Sequence, residues 1–402
     1  MKSFIFFITT FLFLFYPTSS NGIIRDSVSN VAVDWAIVFI LVVTVLIFYG
    51  KLDRKNILIS FLIVLYLSII TLISSISDSN SSFSLARVAP LCLFLLLSSM
   101  KIDIKISMNR LFLFFDIVII IIIVCNILIL MENNAIKSFI IDHYSQFYEN
   151  ATENMFIKKR PIFTFGVYTF ASYFYSLFFL LSIYSFNITK KLKYKLYCYI
   201  LLIFNILLAS NFAILSSVFM TLVIFHTIVK NKNLIEILAF IILFLTVAIW
   251  IINNKELINY YQESLFSNSN GIVGRYSSSG ALMVNSKYLE THPNIGFNII
   301  RNLKLAYTDS GYLVLRLMGG WILLLPYYYL LYRFMKNNYK RTYIIFLIIT
   351  MAFESALPVS IYIKFAYAML FCIIYLSSLK SKELLLIKSK EEYLARKRIN
   401  RI

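Results

Sequence analysis

The sequence predicts an all-α, polytopic integral membrane protein with about twelve transmembrane helices and a large outer loop between the ninth and tenth. Three observations predict it. Hydrophobic residues make up 60% of the 402 and charged residues only 14%. A soluble domain holds about a quarter charged residues, so this chain cannot cover itself with a polar surface. The apolar residues fall in runs that, as helix, cross a hydrocarbon core of about 30 Å. The basic residues fall in alternate connections between those runs, which sets an orientation in a membrane.

The runs, in order, are Phe4–Ser20, Val31–Tyr49, Ile57–Ile76, Leu85–Met100, Leu111–Met131, Ile162–Phe186, Leu196–Ser210, Phe212–Val229, Leu234–Ile252, Ser310–Tyr332, Thr342–Leu357 and Val359–Leu379. With the N-terminus inside, the inner connections carry Lys2; Lys51, Arg54 and Lys55; Lys101, Lys105 and Arg110; Lys190, Lys191, Lys193 and Lys195; Lys230 and Lys232; Arg333, Lys336, Lys340 and Arg341. The tail, residues 380–402, adds eight more. Together these are 25 of the 38 Lys and Arg, which places both termini in the cytoplasm. The first run has a second reading: Lys2, an apolar stretch and "PTSSNG" also fit a cleaved signal peptide. The seventh and eighth runs are parted only by a tight turn at "LASNFA". No internal repeat is evident, which counts against transporters built from duplicated halves.

A net charge of +19 in a soluble protein would point to nucleic acid. Here orientation accounts for the basic residues, and no nucleic-acid partner is expected. Cys92, Cys125, Cys198 and Cys372 lie inside apolar runs without CxxC spacing, so neither a disulfide framework nor a metal site is expected.

Two outer segments are long, residues 132–161 and 253–309. Loops of that length are functional or disordered. Aromatic residues recur in both, among them Tyr144, Phe147, Tyr260 and Tyr276, and disordered linkers are poor in aromatics. Within the second, "NNKELINYYQESLF" and "GALMVNSKYLETH" read as amphipathic helices lying flat at the membrane boundary.

Charges also stand just inside the outer ends of the spans: Asp34, Arg87, Arg316, Glu354 and Lys364. A charge facing lipid costs a few kcal/mol, so such groups face a bundle interior or a wet cavity, or snorkel to the interface. For Asp34, Arg87 and Lys364 the two readings weigh equally; Arg316 and Glu354 fit a cavity better. Asp116 and His226 lie towards the inner side and receive no role. A channel or proton pump would carry ionisable groups through the membrane centre; here the polar chemistry gathers at the outer face.

The second long segment contains "GRYSSSG", then "THPNIGFN", then "YTDSGYLVLRLMGGW". An Arg after a Gly, a helix, H-P-x-x-G, an Asp-bearing turn and a helix with Gly-Gly in its middle resemble the large outer loop of bacterial O-antigen and capsule repeat-unit polymerases, a layout shared by O-antigen ligases. The close likeness covers about sixty residues. A second piece, "KKRPIFTFGVYTFASYFYS", resembles the family segment in which an Arg precedes a Gly before the next helix; here these are Arg160 and Gly166. One piece departs: where the family often has a Ser-Arg pair at the outer turn between the seventh and eighth helices, this chain has Ser210 and Asn211.

The resemblance implies a substrate glycan on a polyprenyl pyrophosphate and glycosyl transfer without a nucleotide sugar. It names membrane lipid as surroundings and a chain-length regulator as a possible partner. The leaving group gathers negative charge, which a cation in a shielded site must face. Arg suits phosphate because its planar fork donates two hydrogen bonds and stays charged. Arg275, with Arg160 or Arg316, is therefore expected to hold the pyrophosphate; the plainer reading makes each an interfacial anchor. The acceptor hydroxyl needs a general base working near neutral pH. His292 has that range, against the plainer reading of a loop His that caps or packs beside Pro293; Asp309 and Glu354 are the fallback bases or orienters. No Asp-rich cluster that would hold a divalent metal is evident, and no cofactor is expected. The rival functions are an O-antigen ligase acting on a lipid A-core sugar and a flippase for the lipid-linked oligosaccharide.

Overall fold

The computed structural model describes residues 2–15, 28–77, 96–97, 99–102, 104–144, 155, 159–230, 281–291, 310–339, 342–355, 359–361 and 364–379, with scattered positions between 241 and 262. Helix dominates them. In chain order the helices are α1 (Lys2–Phe15), α2 (Val28–Tyr49), α3 (Arg54–Ser77), α4 (Met108–Leu130), α5 (Asn134–Tyr144), α6 (Tyr168–Thr189), α7 (Leu192–Leu207), α8 (Asn211–Lys230), α9 (Ala281–Thr291), α10 (Gly311–Tyr339) and α11 (Tyr343–Glu354), then α12 (Lys364–Leu379). Among the described residues the strands are β1 (Gly50–Leu52) and β2 (Ser99–Ile102), paired antiparallel. The fourth and ninth apolar runs fall almost wholly outside the described residues.

Among the described residues three helices are long and apolar enough to cross a membrane: α4, α6 and α10, of 23, 22 and 29 residues. At 1.5 Å per residue the shortest is about 33 Å long, enough for the hydrocarbon core. They sit differently in the bundle. The apolar window of α6 is 83% buried and that of α4 only 33%, so α6 is central and α4 peripheral. On α4, Phe115, Ile119 and Ile122 face inward while Ile117, Ile120, Val124 and Ile127 are exposed, as expected of a helix with one face towards lipid.

Apolar side chains gain little from packing against each other in lipid, so polar bonds and close fit hold such bundles together. The interior of α6 supplies them. Ser172 shares a 3.0 Å bond with Ser216 of α8, Tyr173 a 3.0 Å bond with Thr350 of α11, and Ser185 a 2.6 Å bond with Tyr375 of α12. Asn205 of α7 donates to the hydroxyls of Ser216 and Ser217 at 2.7 and 2.9 Å. Interhelical bonds of this kind contribute roughly 0.6 kcal/mol each.

One end of the bundle is rich in lysine. There β1 and β2 set Lys51 opposite Lys101, Ile102 N–H donates to Asn338 of α10 at 2.8 Å, and Arg333 of α10 reaches Asp53 at 3.1 Å. Lys193 of α7 pairs with Asp116 of α4, which gives Asp116 a fastening role. The opposite end carries the 159–167 segment, the α7–α8 turn and the last residue of α11.

Besides the β1–β2 pair, which an all-α reading does not include, the structure differs from expectation in three places. Helix α5 lies within the first long segment, where no helix is expected. The twelfth run opens with a 3-10 turn, Val359–Ile361, before α12. The tenth run is a broken helix: Gly319 (φ −163°, ψ 24°) and Gly320 (φ 61°, ψ −158°) leave helical geometry. Gly320 occupies a region open to glycine, and a Cβ on Gly319 would come within 2.9 Å of Leu67. The carbonyl freed at Gly319 accepts the Tyr66 hydroxyl of α3 at 3.2 Å.

Candidate functional site

The site begins with the short segment from Lys159 to Val167. It enters α6 through tight turns: Ile162 N–H donates to the Arg160 carbonyl at 2.8 Å, and Val167 N–H to the Phe165 carbonyl at 3.1 Å. Lys159, Phe163 and Gly166 have left-handed φ of 48°, 54° and 84°. Non-glycine residues held there cost about 1–3 kcal/mol each and persist only where surroundings enforce them. From Arg160 to Gly166 every residue is buried.

Arg160 is buried, and its guanidinium is held on two sides. Nη2 donates to the Ala209 carbonyl at 3.2 Å, and the group lies 4.6 Å from the Tyr168 ring centre. Ala209 is itself left-handed, φ 49°, in the turn between α7 and α8. The next residue, Ser210, caps α8 by accepting Ala213 N–H on its hydroxyl at 3.2 Å. Arg160 therefore joins the two stretches singled out separately in the sequence, the Arg-to-Gly segment and the turn that ends in Ser210 and Asn211.

Glu354 ends α11 and is fully buried. One carboxylate oxygen accepts Ser360 N–H at 2.5 Å, and the other accepts the Tyr328 hydroxyl at 3.1 Å. Tyr312 stacks obliquely on Tyr328, centroids 5.3 Å apart, and donates to the Met351 carbonyl at 2.7 Å. Tyr327 donates to the Ser360 carbonyl at 3.1 Å. The carboxylate thus ties α10, α11 and the turn before α12 together. Its neighbour Phe353 packs on Tyr173 of α6 and Phe212 of α8, so it stands at the same end of the bundle as Arg160.

Arg316 lies in α10 one turn ahead of the break. Its guanidinium sits 4.3 Å from the Trp321 ring centre, across the break, and its buried Nε has no hydrogen-bond partner among the described residues. No described contact joins Arg316 to Arg160. Helix α9 is the expected "GALMVNSKYLETH" helix, and its Leu289 packs on Leu313 and Leu317, either side of Arg316. Arg275, His292 and Asp309 lie outside the described residues. His292 directly follows the last residue of α9, so the chain entering and leaving that helix carries both loop candidates.

The first long segment is closed by an exposed pair, Glu132 with Lys159 at 2.8 Å. The hydrogen bond and charge of Lys159 hold the Glu132 carboxyl below the usual carboxylate range. One cation that the sequence leaves between two readings is settled: Lys364, the first residue of α12, is 2% exposed and does not snorkel. It donates to the Thr164 carbonyl at 2.5 Å. Its signal in the sequence was a lone Lys in an apolar run; nothing there told which backbone it would meet. Among the described residues no group of three or more His, Cys, Asp or Glu gathers as metal ligands would. No protein-family model, curated protein or solved structure matches the chain.

Proposed function

We propose that this protein polymerises polyprenyl-pyrophosphate-linked oligosaccharide repeat units into O-antigen or capsular polysaccharide. Glycosyl transfer takes place at the outer face of the inner membrane. In this reading the chain crosses twelve times, both termini are cytoplasmic, and the lysine-rich end is the cytoplasmic one. The observation that carries the reading is the bond from buried Arg160 to the Ala209 carbonyl. It brings an arginine to the turn where the resembled family often has its own, and where this chain has Asn211 instead.

The chemistry follows from the parts. The transferred sugar leaves a pyrophosphate, and negative charge grows on the departing oxygen. Arg275, with Arg160 and Arg316, faces that charge with planar donor forks in a site shielded from water. His292 draws the proton from the acceptor hydroxyl, and Asp309 orients it. Glu354 shapes the site from behind, since both its oxygens are taken by protein donors. The wet segments meet the glycan while the apolar helices meet the carrier's tail.

The test is deletion and complementation in the source cell. Loss of a polymerase leaves surface lipid carrying a single repeat unit. A bare lipid core with polymer stranded on its carrier would mean a ligase instead, and repeats trapped on the inner leaflet would mean a flippase.

A further inference from the structure

The strained Lys159–Val167 segment is strapped to the bundle from four sides. The Thr164 hydroxyl donates to the Leu14 carbonyl near the end of α1. The Tyr175 hydroxyl of α6 donates to the Pro161 carbonyl and accepts Asn126 of α4 at 2.7 Å. Arg160 donates to Ala209. The fourth strap is a lysine: Lys364 Nζ donates to the Thr164 carbonyl at 2.5 Å and lies 5.5 Å from the Phe165 ring centre. Hydroxyls and an amide serve two of the other straps, and burying a lysine head group is costly where a hydroxyl or amide would also reach a carbonyl. Lys364 is 2% exposed, and its Nζ is turned to the Thr164 carbonyl. Its carbonyl partner is four residues beyond Arg160, in the same run of enforced turns.

We infer that Lys364 is a positioning residue: by gripping the Thr164 carbonyl it fixes the 159–167 turns and so aims the Arg160 guanidinium at the pyrophosphate of the lipid-linked donor. The inference rests on the proposed role of Arg160. A bond from α12 to the loop and a bond from the loop to the α7–α8 turn then act in series, and Arg160 is the last member. Removing the grip leaves the guanidinium present and misaimed. A misplacement of about 1 Å in a positioned group lowers rate by about a hundredfold.

The experiment is a double-mutant cycle on the purified full chain, with polyprenyl-pyrophosphate-linked repeat oligosaccharide as donor and acceptor. Lys364→Met should lower kcat/KM by about ten- to a hundredfold, and Lys364→Arg, which keeps a cationic donor, should recover most of it. Arg160→Ala should lower kcat/KM by about a hundred- to a thousandfold. In the Arg160→Ala background, Lys364→Met should cost less than about threefold, because coupled residues are not additive. Equal cost in both backgrounds, or no cost in either, overturns the inference and leaves the Arg160 assignment standing. Full activity in Arg160→Ala overturns that assignment, and the role of Lys364 falls with it. If Lys364→Met does not insert, Lys364→Gln takes its place in the cycle under the same criteria.

Discussion

Replacing Glu354 removes an acceptor that two donors share. Ser360 N–H, 2.5 Å from one oxygen, belongs to a fully buried residue, and the Tyr328 hydroxyl stands 3.1 Å from the other. Leaving a buried donor unsatisfied costs about 1–3 kcal/mol, so Glu354→Ala should destabilise by about 2–6 kcal/mol. Unfolding entropy of about 2.1 cal/mol/K per residue converts this into a fall in melting temperature of roughly 2–7 °C. Glu354→Gln keeps a carbonyl oxygen for Ser360 N–H, and the Tyr328 hydroxyl can turn to accept from the new amide. That variant should melt within about 1 kcal/mol of the parent and retain polymer. The assay is thermal unfolding of purified protein beside polymer length in a complemented deletion strain. A Gln variant that melts normally yet makes no polymer would make Glu354 a proton-transfer group and refute the reasoning. A Gln variant as unstable as the Ala variant would show that the charge itself is needed.

Other outcomes follow from the same structure. Gly320→Ala forces a side chain onto φ 61° and should destabilise by about 1–3 kcal/mol; Gly319→Ala should do likewise through contact with Leu67 and Leu323. An unchanged melting curve for both would show that the break in α10 is absent. Arg275→Ala and His292→Ala should each abolish long chains while membrane insertion, read by reporter fusions, is normal; long chains in either strain remove that residue's assignment. The Glu132 carboxyl is held below its unfolded value of about 4.3. The pair's contribution is therefore present above that pH and lost as pH falls through the lower, folded value. Amide exchange of α5, corrected for intrinsic rate, should rise between pH 6 and pH 3, and Lys159→Ala should remove the difference. An equal rise in Lys159→Ala would acquit the pair.

Much of the helical architecture was legible in the sequence, because the signal is physical and local. A run such as Leu111–Met131 has no alternative in lipid: its backbone must satisfy itself as helix, and α4 covers Met108–Leu130. The tight turn at "LASNFA" was legible for the same reason, since α7 ends at Leu207 and α8 starts at Asn211. Helix α5 was hidden because its polar residues, Asn134, Lys137, Asp142 and His143, dilute the apolar stripe. The break in α10 was half visible: Gly319-Gly320 stood in the run, but only Leu67 and Tyr66 of a distant helix decide that the chain opens there. At the site, charge and residue type marked Arg160, Glu354 and Lys364. What each one touches depended on partners 49, 6 and 200 residues away, and no periodicity encodes such pairings. Glu354, read from the sequence as a fallback base or orienter, has both oxygens bonded by the protein.

The most direct measurement is chain extension by the purified protein in vesicles loaded with polyprenyl-pyrophosphate-linked repeats, followed by analysis of both glycan and carrier. The account predicts a ladder of longer glycans on the carrier, with one polyprenyl pyrophosphate released for each link formed. Repeats that cross the bilayer without lengthening, and with no carrier released, would contradict it.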